Sequence, residues 1–143
     1  MRTIRNQTFD EERALYGSAD ILVKDCAFDG PADGESAFKE CRNIQVEHGF
    51  FNLRYPFWHD HGLKICNSEM TCLCRAALWY SDHIQITNTR LYGIKAPAGV
   101  QQSENVWLRR CFPGIWMVGA WYKDEGLHRR ERIFYDAFYK SAF

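Results

Sequence analysis

The amino-acid sequence predicts an all-β fold: a right-handed parallel β-helix (a solenoid) of about four coils, followed by an irregular C-terminal tail. Three observations carry that prediction. A short phrase recurs four times at a spacing of about twenty residues. Each copy alternates apolar and polar residues and then ends in small or polar turn residues. The segments between the copies align into columns of like residues. Such a repeat is too short for two helices and lacks the spacing of a leucine-rich repeat, so each coil buries its apolar edge against its neighbours.

The first copy is Asp20-Ile21-Leu22-Val23-Lys24-Asp25-Cys26, and the second is Asn43-Ile44-Gln45-Val46-Glu47. Gly62-Leu63-Lys64-Ile65-Cys66-Asn67 and His83-Ile84-Gln85-Ile86-Thr87-Asn88 follow. Each reads as a short strand with one buried face, so strands near Ile21, Ile44, Leu63 and Ile84 are expected to stack in register. Counting back from the next strand aligns Gly34 to Cys41, Leu53 to Asp60, and Cys74 to Ser81. Ala37, Pro56 and Ala77 then form a column small enough for an interior corner. Glu35, Arg54 and Arg75 form a charged column, and Lys39, Trp58 and Trp79 a third. Side chains one coil apart lie about 4.8 Å from each other, so like residues in columns are what this fold needs.

Composition bounds the function. The 143 residues suit one domain, and 46% hydrophobic residues with 15% aromatics can build a core. Lys plus Arg equals Asp plus Glu, 18 each, so no net field recruits nucleic acid or an anionic membrane. No apolar run reaches spanning length, and Met1 to Glu12 lacks the apolar stretch of a secretion signal, which predicts a cytoplasmic protein. The six cysteines are therefore expected to be reduced thiols, with Cys26 and Cys66 stacked inside the coils. Cys72-Leu73-Cys74 lacks the spacing of a zinc knuckle, and no cofactor is expected.

Five strings carry a resemblance: Glu12 to Gly17, Asp33 to Ala37, Asn52 to Asp60, Cys74 to Ser81, and Gly93 to Ala96. Together they resemble a bacterial family of pectin-lyase-like right-handed β-helix proteins classed as a domain of unknown function. The resemblance covers roughly residues 10–96 and implies the fold. It implies no established activity.

After Ala96 the resemblance stops. The family continues with Leu-Arg-Glu-Cys, whereas this chain has Pro97-Ala98-Gly99-Val100-Gln101. Those residues can be encoded CCT GCG GGA GTG CAA, which read from the second base gives Leu-Arg-Glu-Cys. Pro113 to Val118 and Arg130 to Asp136 yield further family-like strings in the same way. The sequence therefore divides into repeats over 1–96 and an out-of-frame tail over 97–143. Asn105-Val106-Trp107-Leu108-Arg109-Arg110-Cys111 resembles a repeat strand and is read as a coincidence. The aromatics and arginines of the tail are likewise read as unselected sequence rather than a nucleic-acid surface.

Sugar-directed chemistry needs carboxylates or a base, cations for uronates, and flat aromatics. The catalytic candidates are Asp33, Glu35, Asp60 and Lys95, and the substrate-binding candidates are Arg54, Tyr55, Trp58, Arg75, Trp79 and Tyr80. His59-Asp60-His61 places two imidazoles where a strand shares one face, which makes His59 and His61 metal candidates, although a hydrogen-bonded turn pair explains them more simply. Three readings stand: a carbohydrate-binding or polysaccharide-processing β-helix, a non-catalytic protein-interaction scaffold, or a truncated product with no activity. Whether the chain is an enzyme is left open by its residues. A solenoid cut after four coils would also self-associate through its uncapped end.

Overall fold

A computed structural model of the chain describes residues 1–74, 77–92, 100–109 and 119–121, with side chains in that set through Leu91. The strands are β1 (Arg2–Arg5), β2 (Thr8–Phe9), β3 (Ala19–Lys24), β4 (Ala27–Asp29), β5 (Phe38–Lys39), β6 (Arg42–Glu47) and β7 (Phe50–Asn52). They continue as β8 (Phe57–Trp58), β9 (His61–Cys66), β10 (Glu69–Met70), β11 (Leu78–Trp79), β12 (Asp82–Tyr92), β13 (Val100–Arg109) and β14 (Gly119–Trp121). No helix occurs among the described residues. From β1 to β12 every pairing is parallel, and the chain is a β-solenoid with three faces.

The first face stacks β1, β3, β6, β9 and the start of β12. Ile21, Ile44, Leu63 and Ile84 are register partners, and so are Val23, Val46, Ile65 and Ile86. All eight are buried, as the period-two alternation of the four phrases requires. The strands expected at these positions stack in register.

The second face stacks β2, β4, β7, β10 and the Arg90–Leu91 end of β12. Sequence reasoning assigns one strand per coil and so misses it. Phe9, Phe28, Phe51, Met70 and Leu91 follow one another in register, and the last four are fully buried. Because β12 runs through both faces, they join into one 11-stranded sheet. The third face is the 3-stranded sheet β5-β8-β11, which turns Phe38, Phe57 and Leu78 inward and Lys39, Trp58 and Trp79 outward. Ala37, Pro56 and Ala77 form the expected buried corner: Phe38 N–H donates to Pro56 O at 2.8 Å and Phe57 N–H to Ala77 O at 2.9 Å.

Between the faces the chain turns through left-handed residues. Asn6, Asp25, His48, Asn67 and Asn88 occupy one corner, all with φ between 47° and 53°. Asp20, Asn43, Gly62 and His83 occupy another. Short polar residues tolerate this conformation because their side chains bond locally, and Gly62 has no Cβ to clash. Buried hydroxyls satisfy the interior of the first corner. Ser68 Oγ accepts from Gly49 N–H at 3.0 Å and donates to Cys66 O at 2.8 Å.

The solenoid starts earlier than the four phrases suggest. β1 and β2 open it, and Arg13, Leu15 and Gly17 donate to the carbonyls of Glu35, Ala37 and Lys39. At the other end β13 pairs parallel with β12, with a register shift between Ile84 and Gln85, and β14 pairs antiparallel with β13. Asn105 to Arg109, dismissed from the sequence as a chance likeness, therefore lies in a parallel strand.

Two expectations about cysteine need correction. Cys66 is not inside a coil. It follows Glu47 in register on the outward column of the first face, because the interior alternation there belongs to Leu63 and Ile65. Cys26, Cys41, Cys66 and Cys74 are free thiols, but Cys72 is disulfide-bonded.

Candidate functional site

The third face and the corner that follows it gather most of the residues singled out from the sequence. Register places Lys39, Trp58 and Trp79 one coil apart, so their side chains stack along the solenoid axis. Lys39 Nζ sits 5.2 Å from the centre of the Trp58 ring, and the Trp58 and Trp79 rings are 5.1 Å apart. Tyr80 stacks on Trp79 at 5.0 Å with 13° between planes, and Tyr55 meets Trp58 edge-on at 5.5 Å. Trp58 is thus covered on one side by the ammonium and on the other by Trp79. The open ring surface is on Trp79, 43% exposed, and Tyr80, 62% exposed. Sequence spacing identifies the column but not which of its rings is free.

The charged column is also present. Glu35 and Arg54 pair backbone to backbone, and Arg54 Nη2 lies 3.3 Å from Glu35 Oε2. Both side chains are part-exposed, so the ion pair contributes at most about 1 kcal/mol. Arg75 and Lys95 lie outside the described residues. Asp33 is exposed on a turn.

The His59-Asp60-His61 string splits. Asp60 turns inward and is fully buried. Its Oδ1 accepts Cys41 N–H at 2.6 Å, its own N–H donates to Ser81 Oγ at 3.0 Å, and its Oδ2 has no partner. Burial pushes its pKa up to about 8, against the opposing Cys41 N–H bond, so the fold disfavours the charged carboxylate. His59 and His61 turn outward with ring centres 6.2 Å apart, and His59 meets Tyr80 edge-on at 6.0 Å. The partner of His61 comes from the next coil: His61 Nδ1 lies 2.8 Å from Asp82 Oδ2. His83 Nδ1 lies 2.8 Å from Asp82 Oδ1. Hydrogen bonds from His83 and His61 hold the Asp82 carboxyl below the usual carboxylate range. Asp82 was missed from sequence because its partner His61 lies 21 residues away, and His83, its chain neighbour, reads from sequence as a solvated loop residue. Among the described residues no group of three or more His, Cys, Asp or Glu side chains is placed to hold a metal.

Left-handed residues also flank this face: Ser36, Glu40, Tyr55, His59 and Tyr80 hold φ values from 53° to 61°. A side chain with a Cβ costs about 1–2 kcal/mol in that conformation, and asparagine or glycine would relieve it.

A family described as "Protein of unknown function (DUF3737)" matches residues 2–114, well over half of the chain. The chain belongs to that family. The DUF3737 match begins within β1 and passes Ala96, where the resemblance seen in the sequence ends, to take in β13. No curated protein and no solved structure matches the chain.

Proposed function

We propose that the protein binds carbohydrate chains across the third face and its following corner. Trp79 and Tyr80 supply the open aromatic surface, and Trp58 and Lys39 hold Trp79 from beneath. Arg54, Tyr55, His59 and His61 supply polar groups around it. The observation that carries the reading is the open aromatic surface of Trp79 and Tyr80 on an outward face. Tyr55 and Tyr80 hold left-handed backbone there, a strain that persists where the side chain is needed for a task. Flat rings beside hydrogen-bonding groups suit the apolar faces and hydroxyl rims of sugars. The pectin-lyase-like kinship expected from the sequence agrees with it as fold-level analogy. Glycan-array binding by the whole chain, lost in Trp79→Ala and Tyr80→Ala while both variants melt as the parent does, is the expected result. No binding to any glycan by well-folded protein would overturn the reading.

For this chain alone we also propose the frame change after Ala96, supported by the codon reading of residues 97–101, 113–118 and 130–136. The DUF3737 match beyond residue 96 and the parallel strand β13 stand against a break at that point. Resequencing the coding DNA across codons 94–100 decides it. One cytosine fewer directly after the Ala96 codon is the expected result, and an unchanged reading sinks the proposal.

A further inference from the structure

Stacking brings three residues from three coils into one row at the start of the first face. Arg42, His61 and Asp82 are consecutive register partners, with strands about 4.8 Å apart. They are a cation, an imidazole and a carboxylate, and no two are closer than 19 residues in the chain. From this row we propose that Arg42, His61 and Asp82 form a hydrolytic site for acyl esters carried on a sugar chain. The sugar in that substrate class rests on the carbohydrate reading above, whereas the ester chemistry stands on the row itself.

The geometry assigns each role. An ionised Asp82 can only accept, so its contact with His61 Nδ1 leaves the ring hydrogen there and the Nε2 lone pair free. His83 holds the second Asp82 oxygen at 2.8 Å, which fixes the carboxylate from both sides. The Arg42 side chain is exposed and has no hydrogen-bond or ion-pair partner among the described residues. The contacts His61–His59 at 6.2 Å, His59–Tyr80 at 6.0 Å and Tyr80–Trp79 at 5.0 Å join the row to the aromatic surface.

No serine or cysteine is bonded to His61 among the described residues, so water is the nucleophile. His61 Nε2 takes a proton from water as the water oxygen forms a bond to the acyl carbon. The carbonyl π pair moves onto its oxygen, where the Arg42 guanidinium balances the charge. The pair then returns, the bond from acyl carbon to sugar oxygen breaks, and that oxygen takes the proton from His61. The products are a carboxylic acid and an alcohol, and only water is consumed.

His48 provides an internal control. Its Nδ1 lies 3.1 Å from Asp25 Oδ1 at a different corner, and the nearby Lys24 is already paired with Glu47 at 3.2 Å. It is a His–Asp pair whose own row of corner residues, Asn6, Asp25, His48, Asn67 and Asn88, holds no cation. The test measures hydrolysis of 4-nitrophenyl acetate and of glucose pentaacetate by the full chain, with a melting curve for each variant. The expected result is a fall in kcat/KM of about 100-fold in His61→Gln. Arg42→Met and Asp82→Asn should each lose about tenfold or more, Asp82→Asn in kcat with KM unchanged because it positions the base rather than touching the ester. His48→Gln should match the parent. Parent activity no greater than that of His61→Gln, or an equal loss in His48→Gln, overturns the proposal. If His61→Gln melts early, Asp82→Asn decides the case. A small aryl ester does not need the aromatic surface, so intact glycan binding without hydrolysis would sink this site and leave the binding reading standing.

Discussion

Two aromatic ladders run through this solenoid, one inside and one outside. Inside, Phe9, Phe28 and Phe51 stack at 4.9 and 5.0 Å, and Phe38 and Phe57 at 4.9 Å. Outside, the Trp58 and Trp79 rings lie 5.1 Å apart, one coil from each other, and Tyr80 stacks on its chain neighbour Trp79 at 5.0 Å. The coil-to-coil distance sets the spacing of the phenylalanine pairs and of Trp58 with Trp79. The surroundings differ: Phe28, Phe51, Phe38 and Phe57 have no exposed surface, while Trp79 and Tyr80 keep an open side. The same register thus serves packing in one place and presentation in the other. Ring stacking by itself does not mark a binding site. What marks it is the surface left over once neighbours have covered each ring.

The difference can be broken by mutation. Phe51→Ala leaves a cavity among Phe28, Phe38 and Phe57 and is expected to destabilise by about 3–5 kcal/mol. Trp79→Ala is expected to stay within about 1 kcal/mol. Denaturant unfolding of the two variants checks this, and equal losses would erase the distinction between the ladders.

Asp60 sharpens the contrast on the polar side, since it is the buried member of a string whose histidines face out. Its folded pKa of about 8 lies above its usual value of 3.8, so the fold favours the protonated form. The stability this supplies is fully present below pH 3.8, declines by up to about 1.4 kcal/mol per pH unit above that, and is lost as the pH rises through about 8. Asp60→Asn should remove that decline. Melting temperatures from pH 5 to 9 should fall for the parent and stay level for the variant, and parallel curves would show that Asp60 is ionised in the fold.

Smaller effects are expected at the corners and in the ion pair. Asn67→Ala, at φ 49°, should cost about 1–2 kcal/mol, and Asn67→Gly clearly less. An equal loss from both, read by thermal melting, would mean that the side chain rather than the left-handed backbone matters there. Glu35→Gln should change stability by about 0.5 kcal/mol or less, because its bond to Arg54 is open to solvent. A larger loss in a melt would show that the charged column bears on the fold.

The first face was legible in the sequence because its phrases keep one period and one alternation over four coils, from Ile21 to Ile84. The second face was not. Its strands are two or three residues long, too short for a period to show, and Phe28 and Phe51 declare themselves only when stacked. The N-terminal strand was not picked out among the repeated phrases for a related reason: Arg2 stands in register with Ile21, where the other coils have an apolar residue. The aromatic and charged columns were read correctly as columns at every described position. His59 and His61 share an outward face, as the alternation expected from the sequence places them, but the burial of Asp60 on the opposite side was not foreseen, because an acid is rarely placed in a core.

The sequence by itself determined the repeat, the parallel stacking of its strands and the identity of the side chains in each column. These follow from local patterns, because each coil meets only its neighbours and the same offsets recur. The tertiary structure decided which side of each column is covered and which residues from different coils meet. Trp58 is half-buried and Tyr80 open, Asp60 is buried and Asp82 holds two imidazoles, and Arg42 stands beside His61 in register. Those outcomes depend on corner geometry and on contacts across about twenty residues of chain, and no local pattern carries that information.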